Sequence, residues 1–389
     1  MTTTPHPSAH RFPTDSDEPV VLGYYADRPN ALPLPPERIP YALFTHLAHA
    51  FARVTMEGEL LLPDPEVTRR LCDHAHTAGV KTLLALGGAD SNPTLTRACA
   101  TPDGVPRLAD ALARAVRIAG YDGMDMDWEA GENQGDRDRM NALTAAVRER
   151  LPVDATLTMA VPASDHNGNW FEPDVLLPLI DYFKVMAYDF HGPWSDHAGH
   201  NAPPFAPAPG TDKPECQRLS AEGAVGYWSV TKKVPEERIL LGLPLYGRGF
   251  RAARFGDPAS GEYERSAVTN REIGALLAAG WRKEYDREDT KARVPYLVSP
   301  DGAEVLSYDD SERAYRKGGI AWKQGLAGVF FWEISQDLFS TEGGEDERDF
   351  ASIRAGYPAP YSRARHGDVG DGFFDTMMRR ELLRGAGTV

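Results

Sequence analysis

Cysteine is scarce in this sequence, long apolar runs are missing, and positive charge is in deficit. The three cysteines, Cys72, Cys99 and Cys216, form an odd set without close spacing, which excludes both a disulfide framework and a metal knuckle. Buried or incidental thiols are expected, with a Cys72–Cys99 bridge as the alternative. No run reaches the apolar length that crosses a bilayer. Residues 1–19 lack the apolar centre of a secretory leader and read as a flexible arm. The default location is then the cytoplasm, with leaderless export to the outside as the alternative. Lys and Arg number 42 against 57 Asp and Glu, a net charge of −15. Such a surface repels phosphate backbones, so neither nucleic acid nor an anionic membrane is an expected partner.

What is present supports a large core: 389 residues can hold one α/β barrel with an insertion, or two ordinary domains. Apolar, β-rich runs fall at residues 20–25, 45–51, 81–86, 123–127, 156–161, 182–188, 239–245 and 328–332. Stretches suited to helices lie between them, at 65–78, 105–119, 136–150 and 221–232. Continuous apolar runs alternating with helices mark buried parallel strands. Eight such units make a (β/α)8 TIM barrel, whose functional groups gather at the C-terminal strand ends. The gap between the last two runs exceeds what one helix needs. Residues 251–304 mix a strand-like stretch (294–298) with a helical one (270–279), a small α+β insertion between strands 7 and 8. The expected organisation is an arm at 1–19, a barrel at 20–250 and 305–357, the insertion, and a tail at 358–389. Within the tail, 373–383 reads as a docked helix or a partner-binding segment. The Pro-rich stretch 202–214 reads as a long loop near the barrel mouth.

The most informative segment is YDGMDMDWE, residues 121–129. Asp125, Asp127 and Glu129 fall two apart, so on a strand they share one face at intervals of roughly 7 Å. Three carboxyls so close inside a barrel cannot all ionise, and at least one holds a proton near neutrality. A neutral carboxyl beside an anion is what general acid catalysis requires. A solvated acidic loop rarely carries this apolar interleaving. A divalent-metal site lacks further ligands nearby in sequence. No metal and no cofactor are expected.

Asp122-Gly123-x-Asp125-x-Asp127-x-Glu129 resembles the signature of glycoside hydrolase family 18 on its fourth barrel strand. Other segments resemble the same family in the same order: Gly23-Tyr24-Tyr25, Ala50-Phe51, Leu86-Gly87-Gly88, Met186-Ala187-Tyr188-Asp189, then residues 242–248, and Phe331-Trp332-Glu333. The likeness spans residues 20–357 and includes the branch with an insertion after strand seven. It implies a chitinase that cleaves β-1,4-linked N-acetylglucosamine polymers or oligomers. An endo-β-N-acetylglucosaminidase or specialised aminosugar hydrolase is the alternative. A non-catalytic lectin-like binder of chitin oligosaccharides is a further one, although such proteins typically lose the acid and Glu129 is intact. A monomer is expected, with chitin or N-acetylglucosamine oligosaccharides as partner.

The resemblance also implies roles. Glu129 is the proton donor. Asp127 orients the acetamido N–H, and Asp125 shares a proton with Asp127 from below. Tyr188 donates to the acetamido oxygen, which attacks the anomeric carbon in place of an enzyme nucleophile. Met186 and Asp189 shape the same subsite, and Trp332 is its floor. Tyr24, Phe51 and Gly88 belong to the site from strands one to three. Tyr246 and Arg248 line the cleft, and Trp194 either stacks a further sugar or caps the barrel. Two departures stand out. Ala85 occupies a position where the family usually has a serine bonded to the innermost aspartate, so Asp125 is expected to lean on Tyr24. Ala89 and Asp90 follow the Gly-Gly pair where an aromatic residue often stands.

Overall fold

The structure, a computed structural model, describes residues 19–27, 34–129, 133–206, 218–286, 294–337 and 350–356. The arm before residue 19, the loop from 207 to 217 with Cys216, and the tail from 358 lie outside the described residues. Eight strands form the barrel: β1 (Val20–Ala26), β2 (His46–Val54), β3 (Lys81–Gly87) and β4 (Gly123–Asp127). They continue with β5 (Thr156–Pro162), β6 (Tyr182–Met186), β7 (Ile239–Pro244) and β8 (Gly328–Trp332). Each pairs in parallel with the next, and β8 pairs with β1, which closes the sheet.

Period-two alternation sorts the strand residues into two layers. Val21, Leu47, Leu84, Met124, Leu157 and Val185 face outward into the main apolar core shared with the helices. Leu22, Tyr24, Ala48, Ala50, Leu83 and Ala85 belong to a separate cluster inside the barrel. The small side chains of β2 and β3 leave room there for polar groups from β1, β4 and β6.

Two strands differ from expectation. β2 runs three residues further, because Arg53 and Val54 pair antiparallel with Leu61 and Leu60 in a hairpin. β6 stops at Met186, where Ala187 N–H turns back to Val185 O and Tyr188 N–H to Met186 O. Tyr188 and Asp189 therefore stand on the loop beyond the strand. The helices Pro65–Thr77, Gly104–Ala119 and Gln134–Arg150 sit within two residues of their expected spans. Asp64 and Asn133 cap the first and last by accepting backbone N–H groups. The expected helix at 221–232 instead runs Ala221–Gly226 and widens into a π turn at Tyr227–Thr231.

The insertion is wider than residues 251–304. Its antiparallel sheet begins directly after β7 with strand Tyr246–Phe250, which pairs with Val268–Thr269 on one side and Val305–Ser307 on the other. Pro295–Val298 and Arg282–Tyr285 complete five strands, with helix Asn270–Ala278 alongside. One barrel strand thus hands the chain straight to the insertion's first strand, next to the sheet edge, and Tyr246 and Arg248 ride on it. Cys72 and Cys99 are buried free thiols, so the alternative of a bridge between them falls.

Candidate active site

The acidic row lies on β4 and the loop after it. Asp125 and Asp127 point into the barrel, but the strand ends at Asp127, so Glu129 is carried by the following loop and not by the strand face. Trp128 explains how Glu129 is still aimed at the cleft. Its indole is buried on the opposite side and donates from Nε1 to Asn92 Oδ1 at 2.8 Å. A fixed outward residue at 128 turns its neighbour inward.

Asp125, at the bottom of the row, is fully buried and fully partnered. Tyr24 OH donates to its Oδ2 at 2.7 Å and Thr158 Oγ1 to its Oδ1 at 2.6 Å. Lys184 Nζ donates to Oδ2 at 2.6 Å and also contacts Tyr24 OH. Ala85 lies beside Asp125 in the β3–β4 register, as a position able to replace a hydroxyl partner should. Asp125 does lean on Tyr24, and Thr158 from β5 and Lys184 from β6 add two further donors.

Lys184 was missed, although a signal existed. It is the one charged residue in the run YFKVM, and its spacing from Tyr182 and Met186 puts it on the inward face. A completely buried lysine is rare without a counter-charge.

Asp127 sits above, almost wholly buried, and its Oδ1 has no hydrogen-bond partner among the described residues. Burial first, then the neighbouring Glu129, hold its carboxyl well above the usual carboxylate range, with Lys184 pulling the other way. Glu129 is itself exposed to the cleft. The surrounding protein mass, then Asp189 and Asp90, push its carboxyl up to about 7, and the water reaching it tempers that push. Two carboxyls raised above the ordinary range thus stand above one that is ion-paired.

The walls come from the other strand ends. Gly87 and Gly88 have φ of 119° and 84°, and Gly88 N–H donates to Asp127 O at 2.9 Å. A Cβ on Gly88 would meet the Phe51 ring at 2.6 Å. Phe51 stacks on Trp332 at 5.6 Å between centroids, and Trp332 meets the Tyr24 ring edge-on at 4.9 Å. Trp332 is half-buried, with Met186 and Tyr188 packed against the same interior cluster. A Cβ on Gly242 of β7 would meet the Tyr188 ring at 2.9 Å, so that glycine makes room for the tyrosine. Burial, with Asp127 the next cause, keeps the Tyr188 hydroxyl protonated by raising it well above its ordinary value.

Asp189 has a left-handed backbone, φ 59°, held by its N–H donating to Asn201 Oδ1 at 3.0 Å. Arg248 Nε donates to Asp189 Oδ1 at 2.8 Å. The Arg248 guanidinium also lies 5.0 Å from the Trp194 ring centre and 5.1 Å from that of Tyr246. Trp194 is 60% exposed, with Arg248 against its ring. Tyr246 is nearly buried behind Arg248. Asn201 was also missed. It donates to Tyr246 O at 3.1 Å and so ties the loop after β6 to the insertion. Among the described residues no cluster of three or more His, Cys, Asp or Glu side chains could hold a metal ion.

An aromatic-floored cleft over a row of carboxyls, two of them with raised proton affinity, on the C-terminal face of a closed barrel is the layout of a glycosidase-type site. The family model for glycosyl hydrolases family 18 matches residues 20–337, and the chain belongs to that family. It is 26% identical over 358 residues to a chitinase-like effector of Moniliophthora roreri, covering 78% of this chain and 86% of that protein. It is 30% identical over 294 residues to Chitinase A1 of Niallia circulans, covering 67% of this chain but 41% of that longer protein. The Group IV chitinase of Ostrinia furnacalis superposes with a TM-score of 0.77 over 87% of this chain and 98% of its own, at 24% identity. At that identity the superposition speaks for the fold.

Proposed function

We propose that this protein hydrolyses β-1,4-linked N-acetylglucosamine oligomers with retention of configuration, the substrate's own acetamido oxygen acting as nucleophile. The observation that carries the reading is the unpartnered, buried Oδ1 of Asp127 beside Glu129. A buried acceptor without a donor is unfavourable unless a ligand supplies one, and an acetamido N–H is such a donor. With Asp127 on the N–H and Tyr188 OH donating to the carbonyl oxygen, the acetamido group is held against the anomeric carbon. Intramolecular attack then gains the advantage of high effective molarity.

Glu129 gives its proton to the leaving glycosidic oxygen as the C–O bond breaks, and the acetamido oxygen closes on the anomeric carbon. The Glu129 carboxylate then takes a proton from water as that water opens the cyclic intermediate. Trp332 supports the apolar face of the reacting sugar, with Phe51 behind it. Asp189, charge-paired to Arg248, and Met186 bound the same pocket. Trp194 offers a ring to a sugar further along the cleft.

A sugar-binding role without hydrolysis is the competing reading, and the likeness to a chitinase-like effector keeps it in view. The intact Glu129, with its carboxyl raised to about 7, favours the hydrolase. The test compares N-acetylglucosamine tetramer with fully deacetylated glucosamine tetramer. Cleavage of the acetylated substrate alone supports the acetamido nucleophile. Efficient cleavage of the deacetylated one contradicts it.

A further inference from the structure

Lys184 is completely buried inside the barrel, and the proposed reaction assigns it no step; burial lowers its amine, and Asp125 and then Asp127 pull it back toward the charged form. Its surroundings define what it can do. Tyr24 comes from β1, Asp125 and Asp127 from β4, and Tyr182 and Tyr188 from its own strand and the loop beyond. The uncharged Thr158 and Phe330 close the shell from β5 and β8. The ammonium bonds Asp125 Oδ2 at 2.6 Å and lies 4.0 Å from the Tyr24 ring centre and 5.5 Å from that of Phe330. Asp125 and Lys184 are both fully shielded from solvent.

The consequence follows from counting donors. Asp125 receives three of them, from Tyr24, Thr158 and Lys184, over its two oxygens. A carboxylate so supplied needs no proton from Asp127. Asp127, in contrast, keeps an unpartnered oxygen, and burial and Glu129 favour its protonated form. We propose that Lys184 is a positioning residue for this reaction: it keeps Asp125 fully partnered and so leaves the protons of the row to Asp127 and Glu129. When Glu129 gives up its proton, the O–H of Asp127 is free to donate to the new carboxylate. Without the ammonium, Asp125 becomes an uncompensated interior anion and draws that proton downward.

This rests on the hydrolase reading, and the experiment separates the two. Turnover of N-acetylglucosamine tetramer is followed against pH for the intact protein, Lys184→Met, Asp125→Asn and the double variant. Lys184→Met is expected to lose on the order of 100-fold in kcat, as for other misplaced catalytic groups. Its alkaline limb is expected to move up by about one pH unit or more, since a neighbouring cation no longer lowers the acidic pair that must hold its protons. The double variant, with both charges removed together, is expected to exceed each single variant in kcat, which is a strong coupling between the two sites.

An unmoved alkaline limb in folded Lys184→Met overturns the proposal. If that variant does not fold, the comparison of the double variant with Asp125→Asn decides, because a neutral pair avoids a lone buried charge. A double variant no better than Asp125→Asn overturns it equally. Should the intact protein bind the tetramer without cleaving it, the hydrolase reading fails. Lys184 is then judged by tetramer binding against pH, where a transition near or above neutrality unchanged by Lys184→Met overturns its role.

Discussion

Among the described residues two lysine–aspartate pairs are buried, and their surroundings differ. Lys184–Asp125 lies inside the barrel beneath the acidic row. Lys317–Asp309 joins helix Ser311–Lys323 to the end of the insertion, with Asn270 donating from Nδ2 to Asp309 O at 3.4 Å and to Ser352 Oγ at 3.3 Å. Each pair satisfies the rule that a buried charge needs a partner. The first has two raised carboxyls, Asp127 and Glu129, above it, whereas the second has Asp310 and the cationic Arg313 beside it. The same ion pair is thus a structural staple in one place and an electrostatic setting in the other, and the neighbours decide which.

The largest effect that sharpens this contrast is on turnover. Glu129→Gln removes the mobile proton at the top of the row while leaving both pairs intact. It is expected to reduce kcat by roughly a thousandfold, within the range for a lost general acid, with tetramer binding retained by calorimetry. Retained hydrolysis would move the acid elsewhere.

Next comes stability. Lys317→Met strands Asp309 in the interior and should cost about 3–5 kcal/mol in urea unfolding, as for other broken buried pairs. The pH profile of its folded fraction should match that of the intact protein. A shifted profile would erase the distinction between the two pairs.

The third test is pH. Activity requires protonated Glu129, whose carboxyl is raised from 4.5 to about 7, so turnover should fall about tenfold per unit above that value. The linked stability has the opposite sense to an ordinary salt-bridged acid. Between 4.5 and about 7 the folded protein binds more protons at Glu129 than the unfolded chain does, so stability declines as pH rises through this window. Solvent access to Glu129 keeps that slope shallow. Glu129→Gln should flatten it when unfolding is compared at pH 5 and pH 8, and an unchanged slope would assign the linkage to other groups.

The smallest effect belongs to the rim. Trp194→Ala removes an exposed ring backed by Arg248, and a loss of about 1 kcal/mol in stacking corresponds to a KM increase of roughly fivefold with kcat unchanged. A drop in kcat instead would mean that Trp194 acts through Arg248 on Asp189.

The barrel was legible because its signals are local. Eight apolar runs with helical spacers, and the two-residue spacing from Asp125 to Glu129, need no tertiary information. The insertion's edge was not legible. Pro244 ends a parallel strand and Tyr246 begins an antiparallel one, and the change of partner leaves little trace in the run that spans both. Lys184 was half legible. Its inward face could be read from Tyr182 and Met186, but that its counter-charge would be Asp125, 59 positions away in sequence, depended on closure of the barrel. The hairpin that extends β2 and the turn that ends β6 were likewise set by contacts outside their own segments.

The central claim is that the substrate's acetamido group, held between Asp127 and Tyr188, displaces the leaving sugar protonated by Glu129. Proton NMR of N-acetylglucosamine tetramer during the first minutes of hydrolysis reads the anomeric configuration of the new reducing end directly. The account predicts that the β anomer forms first and then mutarotates. Initial release of the α anomer, which requires direct attack of water, would contradict it.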